Sequence, residues 1–329
     1  MDGEAPARTT STVRRLWPWL RVAAGVAILA IVVWRVGTGP FLAGFRVVGT
    51  TAVLAAMLVG LLTTLSSAWR WRRVAAGLGV QLGLRDSVAA YYRSQFLNAT
   101  LPGGVVGDAH RAVRHGRDIG DVRLALRAVV LERSASLATQ ASVAAAALLL
   151  LPSPLRMSRL PVAVAVAGVA TATVVAGIAV TAARPLRAAG GLASALRAGA
   201  AEIREGVFAR GTWLVVVLSS ATVLAGNLTV FVIAARAAGS RAPLELLAAL
   251  TLLALLAMAL PLSLAGWGPR EGVAAWAFAT AGLGATVGVT TAVAYGTLTL
   301  ISCLPGAGVL AAGAREPRGG RSVAERVHE

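Results

Sequence analysis

The sequence predicts an all-α integral membrane protein of about eight transmembrane helices with one or two re-entrant or broken segments. Three observations predict it. Of 329 residues, 57% are hydrophobic and only 14% charged, with a mean hydropathy of +0.74. Soluble domains usually carry about 25% charge. The apolar residues fall in long runs, such as SVAAAALLLL and LLAALTLLALLAMALPL, and a run of about 18 or more reads as a membrane span. Between the runs lie short arginine-rich loops, the pattern that sets membrane topology.

The formal charge is +17, from 31 basic and 14 acidic residues, and every basic residue is arginine. Such a charge on its own also fits nucleic-acid binding. Here the arginines sit in loops between apolar runs, where they act as topology signals and as contacts for anionic lipid headgroups. An anionic membrane lipid is therefore the expected partner, and no nucleic acid is. Cys303 is the only cysteine, so no disulfide forms within one chain. His110, His115 and His328 are too scattered for a metal motif. No metal and no cofactor is expected.

Residues 1–19 read as a disordered cytoplasmic tail. The first span runs from about Leu20 to Val36. A secretory signal is the competing reading, since Arg14 and Arg15 precede it, but no small-residue cleavage site follows. The second span, about Val47 to Ser66, ends in WRWRR, Trp69 to Arg73, which reads as a cytoplasmic headgroup anchor. Asp86 to Leu101 is too short and polar to span. Its Tyr91, Gln95 and Asn98 share one helical face, as in an interfacial or re-entrant helix. The third span, about Leu126 to Leu151, carries Glu132, Ser136 and Gln140 as one polar stripe. A charge at a helix centre costs ~2.5–3.5 kcal/mol on insertion scales, so the stripe must face the bundle interior. Further spans are expected at about Val162 to Ala183, Thr212 to Ala235 and Leu244 to Leu264, then a short one at Gly272 to Leu283 and a last at Val289 to Ala312. Ser220 and Asn227 share a face of the fifth. The membrane domain thus covers residues 20–312, with a second disordered tail at 313–329. Loop arginines place both termini in the cytoplasm of a multi-pass plasma-membrane protein.

Two runs stand out. In LPGGVVGDAHR, Pro102 stops a helix, while Gly103, Gly104 and Gly107 allow unusual angles and close approach. Asp108 suits a helix cap, and His110 and Arg111 offer donors to an anion such as a phosphate headgroup. In LPLSLAGWGPREG, Pro261, Gly266, Gly268 and Pro269 break a helix before Arg270 and Glu271. Each run also has a plain reading, a solvated hairpin for the first and a structural ion pair for the second. Paired broken segments in two halves of a chain point to a substrate site in transporters. On that pattern Asp108, Arg111, Arg270 and Glu271 are expected to converge with Glu132 and Arg133.

Together, FLNATLPGGVVGDAHRA, RAVVLERSASL and LPLSLAGWGPREG resemble the lysylphosphatidylglycerol synthase transmembrane-region family, also called flippase-like. Its first motif falls on Phe96, Asn98, Pro102, Gly103, Gly107, Asp108 and Arg111. A later Leu-Glu-Arg falls on Leu131, Glu132 and Arg133, and the third motif on Pro261, Ser263, Gly266, Gly268, Arg270 and Glu271. The resemblance implies an all-helical membrane domain, which in multiple-peptide-resistance members moves an aminoacylated lipid between leaflets. Those members carry a soluble aminoacyl-transferase domain after it. This chain ends in a short tail, so no enzyme activity of that kind is expected. Some members are linked with glycosyltransferases and polyprenyl lipid carriers.

The leading expectation is a flippase or transporter for a phospholipid or polyprenyl-linked lipid. Arg111, Arg133 and Arg270 would bind phosphate, while Asp108, Glu132 and Glu271 hold those arginines or a cationic headgroup. Two alternatives stay open: a non-catalytic membrane partner of a glycosyltransferase, and a membrane enzyme acting on lipid-linked sugars.

Overall fold

The computed structural model describes residues 26–102, 104–150, 211–259 and 267–315, together with 23, 204 and 206. They form α1 (Val26–Val36), α2 (Gly39–Arg46), α3 (Thr50–Gly77), α4 (Leu84–Thr100), α5 (Val106–Asp118) and α6 (Val122–Leu150). After the next described residues come α7 (Thr212–Ala237), α8 (Leu244–Ala259), α9 (Pro269–Thr280), α10 (Ala285–Cys303) and α11 (Pro305–Arg315). No strand occurs among the described residues. The all-α expectation holds.

Among the described residues, three stretches are long and apolar enough to cross a membrane: α3, α7, and α10 continued into α11 as Ala285–Ala312. At ~1.5 Å per residue, the 28 residues of α3 reach about 42 Å, beyond a hydrocarbon core of about 30 Å. Their outer faces are apolar and uncovered. Leu54, Leu58 and Leu62 on α3 are 63%, 69% and 55% exposed, and Leu218 on α7 is 52% exposed. Water does not tolerate such a contiguous surface, whereas lipid does. The protein is a membrane protein.

Several expected bounds shift. The first span is bent: α1 and α2 meet at 99°. The second is longer, because α3 continues through WRWRR to Gly77. The third begins earlier. Asp121 Oδ1 accepts the Arg123 and Leu124 backbone N–H groups at 2.9 and 3.0 Å, so it caps α6 at Val122. The short segment α9 has only 12 residues, about 18 Å, too short to cross. The expected span at 162–183 lies outside the described residues, as does most of each tail, although α11 runs three residues past 312. The structure thus supplies three spans, or four with the bent pair, towards the expected eight.

Helix α7 lies antiparallel to α3. Arg70 bonds Ser220 and Val74 packs on Val216, so rising numbers on one helix meet falling numbers on the other. The main apolar core joins α3, α7, α8, α9 and α10 through Phe231, Leu250, Phe278 and Leu298. A smaller core of Ala68, Trp71, Tyr91, Ala112 and Val129 joins α3, α4, α5 and α6. Polar side chains are gathered against this smaller core.

Candidate functional site

Helix α4 ends at Thr100. Leu101 is extended, with φ −100° and ψ 147°, as a residue before proline must be. The chain then reverses into α5, which packs back on α4. Gly107 makes that packing possible, because a Cβ there would overlap the Ser94 backbone carbonyl. Asn98 fastens the reversal. Its Oδ1 accepts the Gly107 N–H at 2.7 Å, and its Nδ2 donates to Asp108 Oδ2 at 3.1 Å.

Asp108 does not cap a helix. It lies in the first turn of α5 and caps nothing with its side chain. Its Oδ1 instead accepts from Ser94 Oγ at 3.0 Å, Arg111 Nη2 at 3.0 Å and Arg133 Nη2 at 2.9 Å. Burial pushes the Asp108 carboxyl up, but Arg133 and Arg111, helped by the Arg133 and Ser94 hydrogen bonds, reverse the shift and hold it at about 2.

Glu132 is the second anion and is wholly buried. Its Oε1 accepts from Arg70 Nε at 2.8 Å, Arg70 Nη2 at 2.6 Å and Tyr91 OH at 3.1 Å. Its Oε2 accepts from Arg111 Nη2 at 3.2 Å. Arg70 also donates to Ser220 Oγ on α7 at 3.2 Å. The cluster therefore joins α3, α4, α5, α6 and α7. Ser136, one turn beyond Glu132, is buried as well, so the polar stripe of α6 faces inward as expected.

Among the described residues, three guanidiniums face two carboxylates. Arg111 sits over two rings, its Cζ 4.5 Å from the Trp71 centroid and 4.3 Å from the Tyr91 centroid. Both its Nε and Nη1 are buried without a partner, as is Arg133 Nε. Arg133 is the accessible member, with 35% of its side chain exposed. A buried donor normally has an acceptor, so a cation excess with orphaned N–H groups is a ready seat for an anion.

The second motif builds a separate, closed pair. Pro269 opens α9 at its first position, where the missing N–H is harmless. Glu271 Oε2 reaches back to the Gly268 N–H at 2.7 Å, and its Oε1 takes Arg270 Nε at 2.8 Å and also Arg270 Nη2. The Arg270 guanidinium sits 4.8 Å from the Trp267 ring and 5.6 Å from the Tyr295 ring. It fits because Gly296 has no side chain, since a Cβ there would overlap the guanidinium.

The expected convergence of the two motifs is not found. Among the described residues, no hydrogen bond or ion pair joins Arg270 or Glu271 to the first cluster. Their neighbours bond two levels of one α7 face instead, Arg70 at Ser220 and Tyr295, beside Arg270, at Asn227. Ser220 accepts from Arg70, while Asn227 accepts from Tyr295 OH at 3.4 Å. Seven residues separate Ser220 from Asn227, about 10 Å along α7 at ~1.5 Å each. Apolar Leu224, buried, lies between them on that face. Pro102 is exposed at the α4–α5 reversal. Gly103, Pro261 and Gly266 lie outside the described residues.

Sequence reasoning missed Arg70 and Trp71. The WRWRR run was expected to anchor in headgroups, yet Arg70 and Trp71 are each 1% exposed and only Trp69 and Arg73 face outward. Helical spacing offered the signal. Ser67, Arg70 and Val74 recur at i, i+3 and i+7 and are all buried. Tyr91 shares a helical face with Gln95 and Asn98 by spacing, but its bond to Glu132 required the fold. No group of three or more His, Cys, Asp or Glu that could hold a metal lies among the described residues.

A family model described as Lysylphosphatidylglycerol synthase TM region matches residues 19–306. No curated protein and no solved structure matches the chain. The matched interval contains all three sequence motifs, both ion groups and nearly every described helix. The chain belongs to the Lysylphosphatidylglycerol synthase TM region family, a membrane-domain family of lipid-related proteins.

Proposed function

We propose that this protein is a lipid flippase, moving a phospholipid or polyprenyl-linked lipid between the leaflets of the plasma membrane, with both termini in the cytoplasm. The cation excess of the buried cluster carries the reading. Among the described residues, Arg70, Arg111 and Arg133 face only Asp108 and Glu132, and the unpartnered N–H groups belong to Arg111 and Arg133. A lipid phosphate supplies the missing charge and acceptors, and a guanidinium binds phosphate through paired N–H groups. Partly exposed Arg133 is the point of entry.

In the empty site Asp108 and Glu132 hold the arginines in place, so the phosphate meets a preorganised seat. Arg270, beside the Tyr295 ring whose OH bonds Asn227 on α7, is the second seat, and Glu271 holds it when empty. Pro102, at the α4–α5 reversal, and Gly268, before α9, mark the breaks about which the helices shift. Asn98 keeps the first break closed. No residue in this scheme breaks a covalent bond, so the proposed role is transport and not catalysis.

Translocation of a fluorescent phosphatidylglycerol in liposomes tests the scheme. The wild-type chain moves the lipid, and an Arg270→Ala, Glu132→Ala double variant that inserts normally does not. Undiminished flipping by that variant overturns the assignment of both seats.

A further inference from the structure

The outer side of the α4–α5 hairpin carries a second set of cations that the buried cluster does not use. Arg93 on α4 is only 7% exposed. No hydrogen bond or ion pair reaches it among the described residues, and its Nε is buried without a partner. A buried guanidinium N–H with no acceptor is costly to keep. His110 on α5 has the same defect at Nδ1.

His110, Arg114 and Arg117 recur at i, i+4 and i+7, so they share one face of α5. The charges acting on Arg93 are those of Arg114 and Asp118, and those acting on His110 are Arg93, Arg114 and Arg117. Burial first, then these arginines, push the His110 imidazole below its ordinary value, so it stays neutral and can present an N–H. Among the described residues, Asp118 is the acid that opposes the set. Beside this face, around the same helix, stand Val106 and Val113, 40% and 38% exposed. A helix whose exposed side is half apolar and half cationic lies at the boundary between headgroups and acyl chains.

We propose that Arg93, with His110, Arg114 and Arg117, forms a phosphate site for the headgroup of an anionic lipid whose acyl chains run along Val106 and Val113. Arg93 shares no bond with Arg70, Arg111, Arg133, Asp108 or Glu132. The site therefore holds a resident lipid that pins the hairpin at headgroup level, whether or not the buried cluster passes lipid.

Native mass spectrometry of the full chain, with phosphatidylglycerol, phosphatidylcholine or inorganic phosphate added, tests it. Wild type retains one phosphatidylglycerol more tightly than Arg93→Gln does, and affinity falls about fivefold for each arginine removed. Arg114→Gln with Arg117→Gln, both at exposed positions, weakens the same lipid without endangering the fold. Phosphatidylcholine binding is equal in all, millimolar inorganic phosphate displaces nothing, and Arg133→Gln, at the partly exposed member of the buried cluster, keeps the lipid. Three results overturn the site: equal phosphatidylglycerol retention by wild type and the Arg114, Arg117 variant; displacement by inorganic phosphate, which means a free-anion site; or loss of the lipid in a folded Arg133→Gln, which puts that lipid at the buried cluster.

Discussion

Glu132 is the residue on which most charge depends. It neutralises Arg70 and takes part of Arg111, and all three side chains are at most 1% exposed. Removing one partner of a buried pair strands the other charge, at ~3–5 kcal/mol. Glu132→Gln is therefore expected to lower the melting temperature in detergent markedly. Asp108→Asn costs less, because Asp108 keeps 15% of its side chain exposed and Arg133, one of its partners, reaches solvent. Reversal of that order by thermal unfolding contradicts the assigned burial. Asp108 also makes a prediction in pH. Its folded carboxyl sits at about 2, below the ordinary 3.8, so the unfolded chain binds the proton more readily. The stability that Asp108 adds is full above pH ~4 and is lost as pH falls towards 2. Unfolding measured from pH 2.5 to 6 shows this slope in wild type, and Asp108→Asn flattens it.

Helix α5 depends on two glycines with different duties. At Gly107 a Cβ meets the Ser94 backbone, which has no rotamer to move, so Gly107→Ala forces α4 and α5 apart at about 3 kcal/mol. Gly104 sits at φ 63°, where a non-glycine residue is strained by ~1–2 kcal/mol, and Gly104→Ala is expected to be the milder change. Denaturant melts of the two variants decide the order. What was legible at this scale was polar patterning inside apolar sequence. The inward stripe of α6 and the shared face of Tyr91, Gln95 and Asn98 follow from helical spacing and from the cost of charge in lipid. Arg70 was not legible, because WRWRR satisfies two rules at once. Trp and Arg mark headgroup level in any span of ordinary length, and only the extension of α3 to Gly77 puts Arg70 and Trp71 against α6. The start of α6 was missed because the expected span begins at about Leu126, where the apolar run sets in, whereas the cap that fixes the helix is Asp121.

On the scale of the whole molecule, the two motifs resemble each other in sequence yet end as groups of different character. One is an open cluster with a spare positive charge, and the other is a neutral pair sealed between Trp267 and Tyr295. Among the described residues they share no hydrogen-bond partner, since Ser220 serves Arg70 while Asn227 serves Tyr295, beside Arg270. Sites separated by about 7–10 Å or more with no common partner have additive effects on stability. Glu132→Gln and Glu271→Gln are thus expected to sum in the double variant to within ~0.5 kcal/mol, whereas Glu132→Gln and Arg70→Gln, in direct contact at 2.6 Å, deviate by ~1 kcal/mol or more. Transport obeys a different arithmetic. If phosphate passes from one group to the other, losing either stops the passage, and the double variant is no slower than the worse single one. Additive unfolding energies together with non-additive flipping rates mark two independent structures that act in series. Additivity in both measurements leaves Arg270 and Glu271 as an ion pair that only holds α9 in place.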